Sequence, residues 1–183
     1  MNVVSRDEAE TRLGITSGTG GAFLDSLLDM VSRRIAAAIG REAWESAERT
    51  EYHDGDAPYL FLRNWPVTAV AIYDDPEHVW GADTVVSADD YYTDARGIVS
   101  YKSGRFQDGD ASIKVVYTAG YASESDVPGI VREGALMLLE REWNARKRAG
   151  RNLLESFQQT NTTALPVEIM SVLAPAVRRI PFA

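Results

Sequence analysis

The sequence has no cysteine and only two histidines, His53 and His78, in 183 residues. The first absence excludes disulfides, thiolate metal sites and cysteine nucleophiles. Long apolar runs are missing too. Even the longest uncharged ones, such as 134–139, are far too short to cross a bilayer, and no signal peptide is expected at the start of the chain. We therefore expect a protein made and kept in a cytosol, with no membrane partner. Basic charge is scarce in the middle: residues 50–112 hold 4 basic and 12 acidic side chains, against 6 and 8 in 1–49 and 9 and 7 in 113–183. An acidic centre argues against a nucleic-acid groove, because phosphate binding is driven by Lys and Arg displacing counterions. It leaves room for a surface past which DNA slides without sticking, and solubility is its simplest meaning.

What is present is an ordinary globular composition, 45% hydrophobic and 25% charged. That length suits one ordinary domain or two small ones, with roughly 70% of the unfolded chain's surface buried on folding.

Ser5 and Glu8 form a capping-box signal for a short helix over 5–14, stopped by Gly14. Residues 16–21 hold three glycines within four positions and read as a loop. No Gly-Lys-Ser/Thr follows, so it is not a phosphate loop. Phe23, Leu27, Val31, Ile35 and Ile39 recur at spacing four and predict an amphipathic helix over 22–39, capped by Gly40. The β block at 48–118 holds short β-branched and aromatic runs at 50–53, 59–63, 67–73, 91–94, 98–101 and 113–118. Asp-Gly, Asp-Asp-Pro and Arg-Gly turn signals divide them. They predict antiparallel strands. A third helix is expected over 128–148, with Ile130, Val131, Ala135, Leu138, Leu139 and Trp143 on its apolar side. Gly134, Leu136 and Met137 widen that stripe almost all round. A helix apolar on most sides is central to a core or shared with a neighbour. The fold class is therefore α+β: a small helical bundle packed with an antiparallel β block in a domain over 1–150. A polar linker at 151–164 and an apolar C-terminal arm at 165–183 follow.

Few residues point to chemistry. His53, in Glu51-Tyr52-His53-Asp54-Gly55-Asp56, sits among acids. No second histidine lies at ligand spacing, so a strand end entering an Asp-Gly turn explains it better than a metal. His78 reads as part of an exposed loop. Asp74-Asp75 and Asp89-Asp90 are adjacent pairs, and adjacent strand residues point to opposite faces, so neither pair converges on a substrate. A hydrolase using His53 has nothing polar converging on it in sequence. Neither an enzyme nor a cofactor site is expected. A small β-rich module binding a ligand or peptide among Trp65, Tyr92 and Tyr101 is the alternative from another class.

The order of elements carries more. It runs from Val4-Ser5, Glu8-Ala9 and Leu13-Gly14-Ile15 to Leu60-Phe61-Leu62-Arg63-Asn64-Trp65-Pro66-Val67-Thr68-Ala69-Val70. Next come Val115-Val116-Tyr117-Thr118-Ala119-Gly120-Tyr121, Val127-Pro128, and Leu165-Pro166 leading to Leu173-Ala174-Pro175. Over nearly its whole length the chain resembles the head–tail connector (neck adaptor, head-completion) proteins of long-tailed bacteriophages. The Gly/Thr/Ser loop between the first two helices departs from that pattern. The resemblance implies a non-enzymatic structural protein of the virion neck, assembled in the host cytoplasm. It implies a homo-oligomeric ring, usually of twelve subunits, seated on the portal protein. The ring would receive the next neck or tail-completion protein, with DNA passing through its lumen. On that reading Leu165, Ile169, Leu173, Arg178, Ile180 and Phe182 are expected to dock on the portal or an adjacent subunit. Met137, Glu140 and Trp143 are expected to form an inter-subunit face.

Overall fold

The structure is a computed structural model, and it describes residues 1–18, 20–102, 104–149 and 164–177. Most of the expected linker, and Arg178, Ile180 and Phe182, lie outside the described residues. The fold class is α+β: among the described residues there are four α-helices and two three-stranded antiparallel sheets. The chain forms two compact units, one of residues 1–44 with 123–183, the other of residues 45–122.

The first unit is helical. Helix α1 (Arg6–Leu13) starts in the expected capping box, the Glu8 N–H donating to Ser5 Oγ at 3.2 Å and the Ser5 N–H to Glu8 Oε2 at 3.3 Å. Helix α2 (Gly21–Ile39) buries Leu27, Val31, Ile35 and Ile39 of the expected stripe, with Leu24 and Leu28 beside them, and ends at Gly40 in the left-handed region (φ 77°). Phe23, expected at the head of that stripe, is exposed because it lies in the first turn. Helix α3 (Gly129–Ala149) packs against α1, α2 and the short α4 (Val167–Leu173). Val131, Ala135, Leu138 and Leu139 are its buried side chains.

Charge pairs stitch the helices together. Arg6 reaches Asp25 at 2.8 Å, Arg12 reaches Glu133 and Glu140 at 3.2 Å each, Arg34 reaches Glu142 at 2.8 Å, and Arg132 reaches Glu8 at 2.9 Å. Glu10 is almost fully buried. The Gly18 N–H (3.0 Å) and Arg6 Nε (3.1 Å) donate to its carboxylate and hold it below the usual carboxylate range. This bond fixes the glycine loop against α1, so the loop's sequence serves packing.

The second unit is β. Its first sheet has the order β1 (Ala47–His53), β6 (Ile113–Ala119), β3 (Val67–Asp74). Strand β6 is central and alternates buried and half-buried residues along its length. Strand β1 begins three residues earlier than expected, because Ala47 pairs with Ala119 and the partner extends the ladder beyond the β-prone run. The second sheet has the order β2 (Tyr59–Phe61), β5 (Ile98–Tyr101), β4 (Tyr91–Thr93). Leu60, Leu62, Ile72, Val99, Phe106, Ile113, Val115, Tyr117 and Ala119 form one core. The Tyr91 hydroxyl joins the sheets by donating to the Val70 carbonyl at 3.0 Å. Gly55 is required where it stands: a Cβ there would lie 1.6 Å from the Gln107 carbonyl oxygen.

Candidate assembly surfaces

Helix α4 takes Pro166 at its N-cap, and its two inward side chains are closed off by the chain itself. Leu173 is fully buried and Ile169 is 3% exposed. The close approach depends on Gly134 of α3, where a Cβ would stand 2.7 Å from Leu173 Cδ2. Of the expected docking set, then, Ile169 and Leu173 pack on α3 in this conformation and Leu165 is half-buried. The outward side of α4 offers Val167, 75% exposed, and Met170, 36% exposed. These two are not among the docking residues expected from sequence. The signal for them was the helical period, which places 167 opposite 169 and 173 and puts 170 at the flank of that buried pair.

The expected inter-subunit residues separate. Met137 and Glu140 line an open cleft of about 410 Å³ between α3 and α4, together with Arg12, Arg141, Arg148 and Ile169. Trp143 is not part of it. It packs on Phe23 with ring centroids 5.5 Å apart, while Arg146 covers Phe23 and Lys147 approaches Trp143. Two of the three residues therefore share a concave surface, and neither Met137 nor Trp143 is wholly covered.

The charge on α3 is sorted. All three of its carboxylates, Glu133, Glu140 and Glu142, are engaged by Arg12 or Arg34. What the second half of the helix shows outward is Arg141, Arg146, Lys147 and Arg148, all exposed. None of the four has a carboxylate partner among the described residues.

In the β unit the outward sheet face carries a row of Tyr52, Lys114 and Tyr73, placed side by side by the register of β1, β6 and β3. Trp80 joins this row from the loop after β3. Its ring lies 5.7 Å from Tyr52 and stacks on His78 at 5.5 Å, with Lys114 Nζ 5.9 Å away. One carboxylate builds the loop. Asp75, nearly buried, accepts the N–H groups of Trp80 (2.7 Å), Val79 (2.8 Å) and Glu77 (2.9 Å), which hold it below its usual pKa. His78 and Trp80 both adopt the left-handed region (φ 60° and 57°), which non-glycine residues accept only when surroundings impose it. With Trp80 anchored, the tip residue Val79 is 73% exposed. Neighbouring Asp74 takes a different partner, the Gln107 N–H at 3.0 Å, and burial pushes its carboxyl upward.

Trp65, Tyr92 and Tyr101 do not make one site. Tyr101 pairs with Tyr91 and packs on Phe106 (5.0 Å), whereas Tyr92 pairs with Ser100 and turns to the other side, under Lys102. His53 faces the inner side of the sheet, with its Nε2 3.3 Å from Glu51 Oε2. Glu51 also accepts from the Tyr117 hydroxyl and the Arg63 N–H. Burial pushes Glu51 up, but these donors together hold it below its usual value; burial and Glu51 push Tyr117 up to about 12. Among the described residues no group of three or more His, Asp and Glu side chains is placed to hold a metal ion.

No protein-family model matches the chain, and no curated protein matches it in sequence. Solved structures do. A chain of the "Virion of native gene transfer agent (GTA) particle" superposes with a TM-score of 0.65 at 17% identity, covering 99% of this chain and 92% of that one. A chain of the "Neck of empty GTA particle computed with C6 symmetry" gives 0.62 at 19%, covering 98% and 93%. A chain of the "Neck of native GTA particle computed with C12 symmetry" gives 0.52 at 20%, covering 98% and 96%. At these identities the likeness is one of fold, and it runs the length of the chain.

Proposed function

We propose that this protein is a structural component of the neck of a phage-like particle, a ring-forming adaptor between the portal of the head and the tail. The observation that carries this reading is the fold shared end to end with chains of gene-transfer-agent particles and their necks, two of them computed with cyclic symmetry. The surfaces agree with it. The exposed features are protein-binding in kind, an apolar tip, a basic helix end and a half-open cleft. The β unit's 14 acidic and 6 basic side chains would repel DNA phosphates instead of holding them. In this reading the portal protein and the next neck or tail-completion protein are the partners, and DNA passes through without specific binding. The arm over 165–183 supplies part of the docking, with Val167 and Met170 as its outward anchors. The reading calls for neither a catalyst nor a cofactor.

The test is a deletion in particle-producing cells, followed by electron microscopy. Filled heads without tails are expected, with joining restored by the wild-type chain. Normal tailed particles from the deletion strain would refute the proposal.

A further inference from the structure

We propose that copies of this chain join head to tail through one specific contact: the loop 75–83 of the β unit of one copy enters the α3–α4 cleft of the next. This rests on the ring reading above and names the surfaces that close it. A ring needs two different complementary patches on each copy, since a single self-complementary patch stops at a two-fold dimer.

The two surfaces match in shape. The loop is a preformed projection. Three N–H bonds to Asp75 and the stacking of Trp80 fix its course and leave Val79 protruding. A rigid, exposed apolar tip loses little entropy on docking. The cleft offers it the half-buried side chain of Met137, with the already buried Ile169 as its floor.

The two surfaces also match in charge. Between Arg63 and Arg96 the sequence has no Lys or Arg and seven acids, of which Glu77 and Asp83 flank the tip. Both are exposed and neither has an ion-pair partner among the described residues. At the cleft Arg12, Arg141 and Arg148 stand against Glu140 and Glu168, and Arg12 is already held by Glu133 and Glu140. Arg141 and Arg148 are therefore the cations left to receive the loop's acids. The contact gives a role to one of the sequence-expected residues, Met137, while Glu140 stays paired with Arg12.

The absence of cysteine makes the test clean. A chain carrying both Val79→Cys and Met137→Cys, assembled into necks and mildly oxidised, should give a reducible ladder of multimers on a denaturing gel. Each single variant should run as monomer. Incorporation of the double variant into necks without a ladder overturns the proposal. So does dimer formation by Val79→Cys alone, which would mark a two-fold contact. A bond from Met137→Cys to a Gln158→Cys in the same chain, in place of the ladder, would show the cleft filled by the chain's own segment and also overturns it.

Charge reversal decides independently if the cysteine chain is not incorporated. Arg141→Glu with Arg148→Glu, or Glu77→Lys with Asp83→Lys, should each lower incorporation about tenfold, and all four together should restore most of it. No restoration counts against the contact. Tails joined normally without the protein would defeat the ring reading itself. Tails that require the protein, on necks that never cross-link, would defeat only this contact.

Discussion

The helical unit and the β unit handle charge in opposite ways. Residues 1–44 with 123–183 contain 13 acidic and 13 basic side chains, while residues 45–122 contain 14 and 6, so the entire net charge of −8 lies in the β unit. In the helical unit the pairs join different helices: α1 to α2 through Arg6 and Asp25, α2 to α3 through Arg34 and Glu142, α1 to α3 through Arg12 and Arg132. Charge there is part of how the helices find their register. In the β unit most carboxylates face water or cap loop N–H groups, as Asp54, Asp75 and Asp94 do. One unit is cross-linked by its charges; the other is held by its apolar core and displays its charges outward.

The largest effect should come from breaking the helical unit at its tightest contact. Leu173→Ala removes a fully buried side chain and should cost about 2–5 kcal/mol. Gly134→Val should act in the same direction by forcing Leu173 away. Hydrogen exchange checks both: amides of 167–173 should lose protection while those of β6 keep theirs. Equal loss in β6 would mean that the two units unfold as one.

The β unit should break from the alkaline side. Tyr117 has its pKa raised from 10 to about 12, so folding favours its protonated form. The corresponding stability is full below pH 10 and disappears as pH rises through about 12. Weakening the phenol's acidity to that extent corresponds to roughly 2–3 kcal/mol. Glu51 has the opposite sign: its carboxyl is held low in the fold, so its contribution is present above the ordinary carboxylate range and is lost in acid. Urea unfolding followed from about pH 8 to about pH 12 should show the alkaline decline. Tyr117→Phe should flatten it, while lowering stability near neutrality because Glu51 loses a donor.

These contrasts were unequally legible in the sequence. The capping box at Ser5 and Glu8 and the stripe of α2 depend on neighbours within a turn or two, so they could be read directly. So could the acidic middle and the turn at Gly55. Pro166 and Pro175 bracket residues 167–174 and mark out helix α4 in the sequence, but nothing there marks the burial of Ile169 and Leu173. That burial depends on a missing side chain at Gly134, far away in the chain. The Asp75 loop escaped for a similar reason. An Asp-Pro pair announces a turn, but nothing local says that one carboxylate collects three N–H groups and lays Trp80 on a sheet row set by the pairing of β1, β6 and β3. Trp65, Tyr92 and Tyr101 failed as a cluster because strand register, absent from the sequence alone, sends Tyr92 and Tyr101 to opposite sides.

The smallest effect tests the comparison most directly, through its sign. Raising salt from about 0.05 M to about 0.5 M shortens the Debye length from roughly 14 Å to about 4 Å, which weakens attraction between exposed pairs and repulsion between like charges alike. The helical unit, tied by pairs such as Arg12 with Glu133 and Glu140 at about 40% exposure, should lose stability. The β unit, with 14 acids against 6 bases, should gain it. Each change should be under about 1 kcal/mol, the usual worth of exposed pairs. Amide exchange read separately on α2 and β6 at the two salt concentrations resolves it. Arg34→Gln, which releases the pair joining α2 to α3, should reduce the salt response of α2 and leave that of β6 untouched. If both elements move in the same direction by the same amount, the division of labour between the units is wrong. If only β6 responds, the helix-joining pairs contribute register without stability, which isolated surface bridges are known to do.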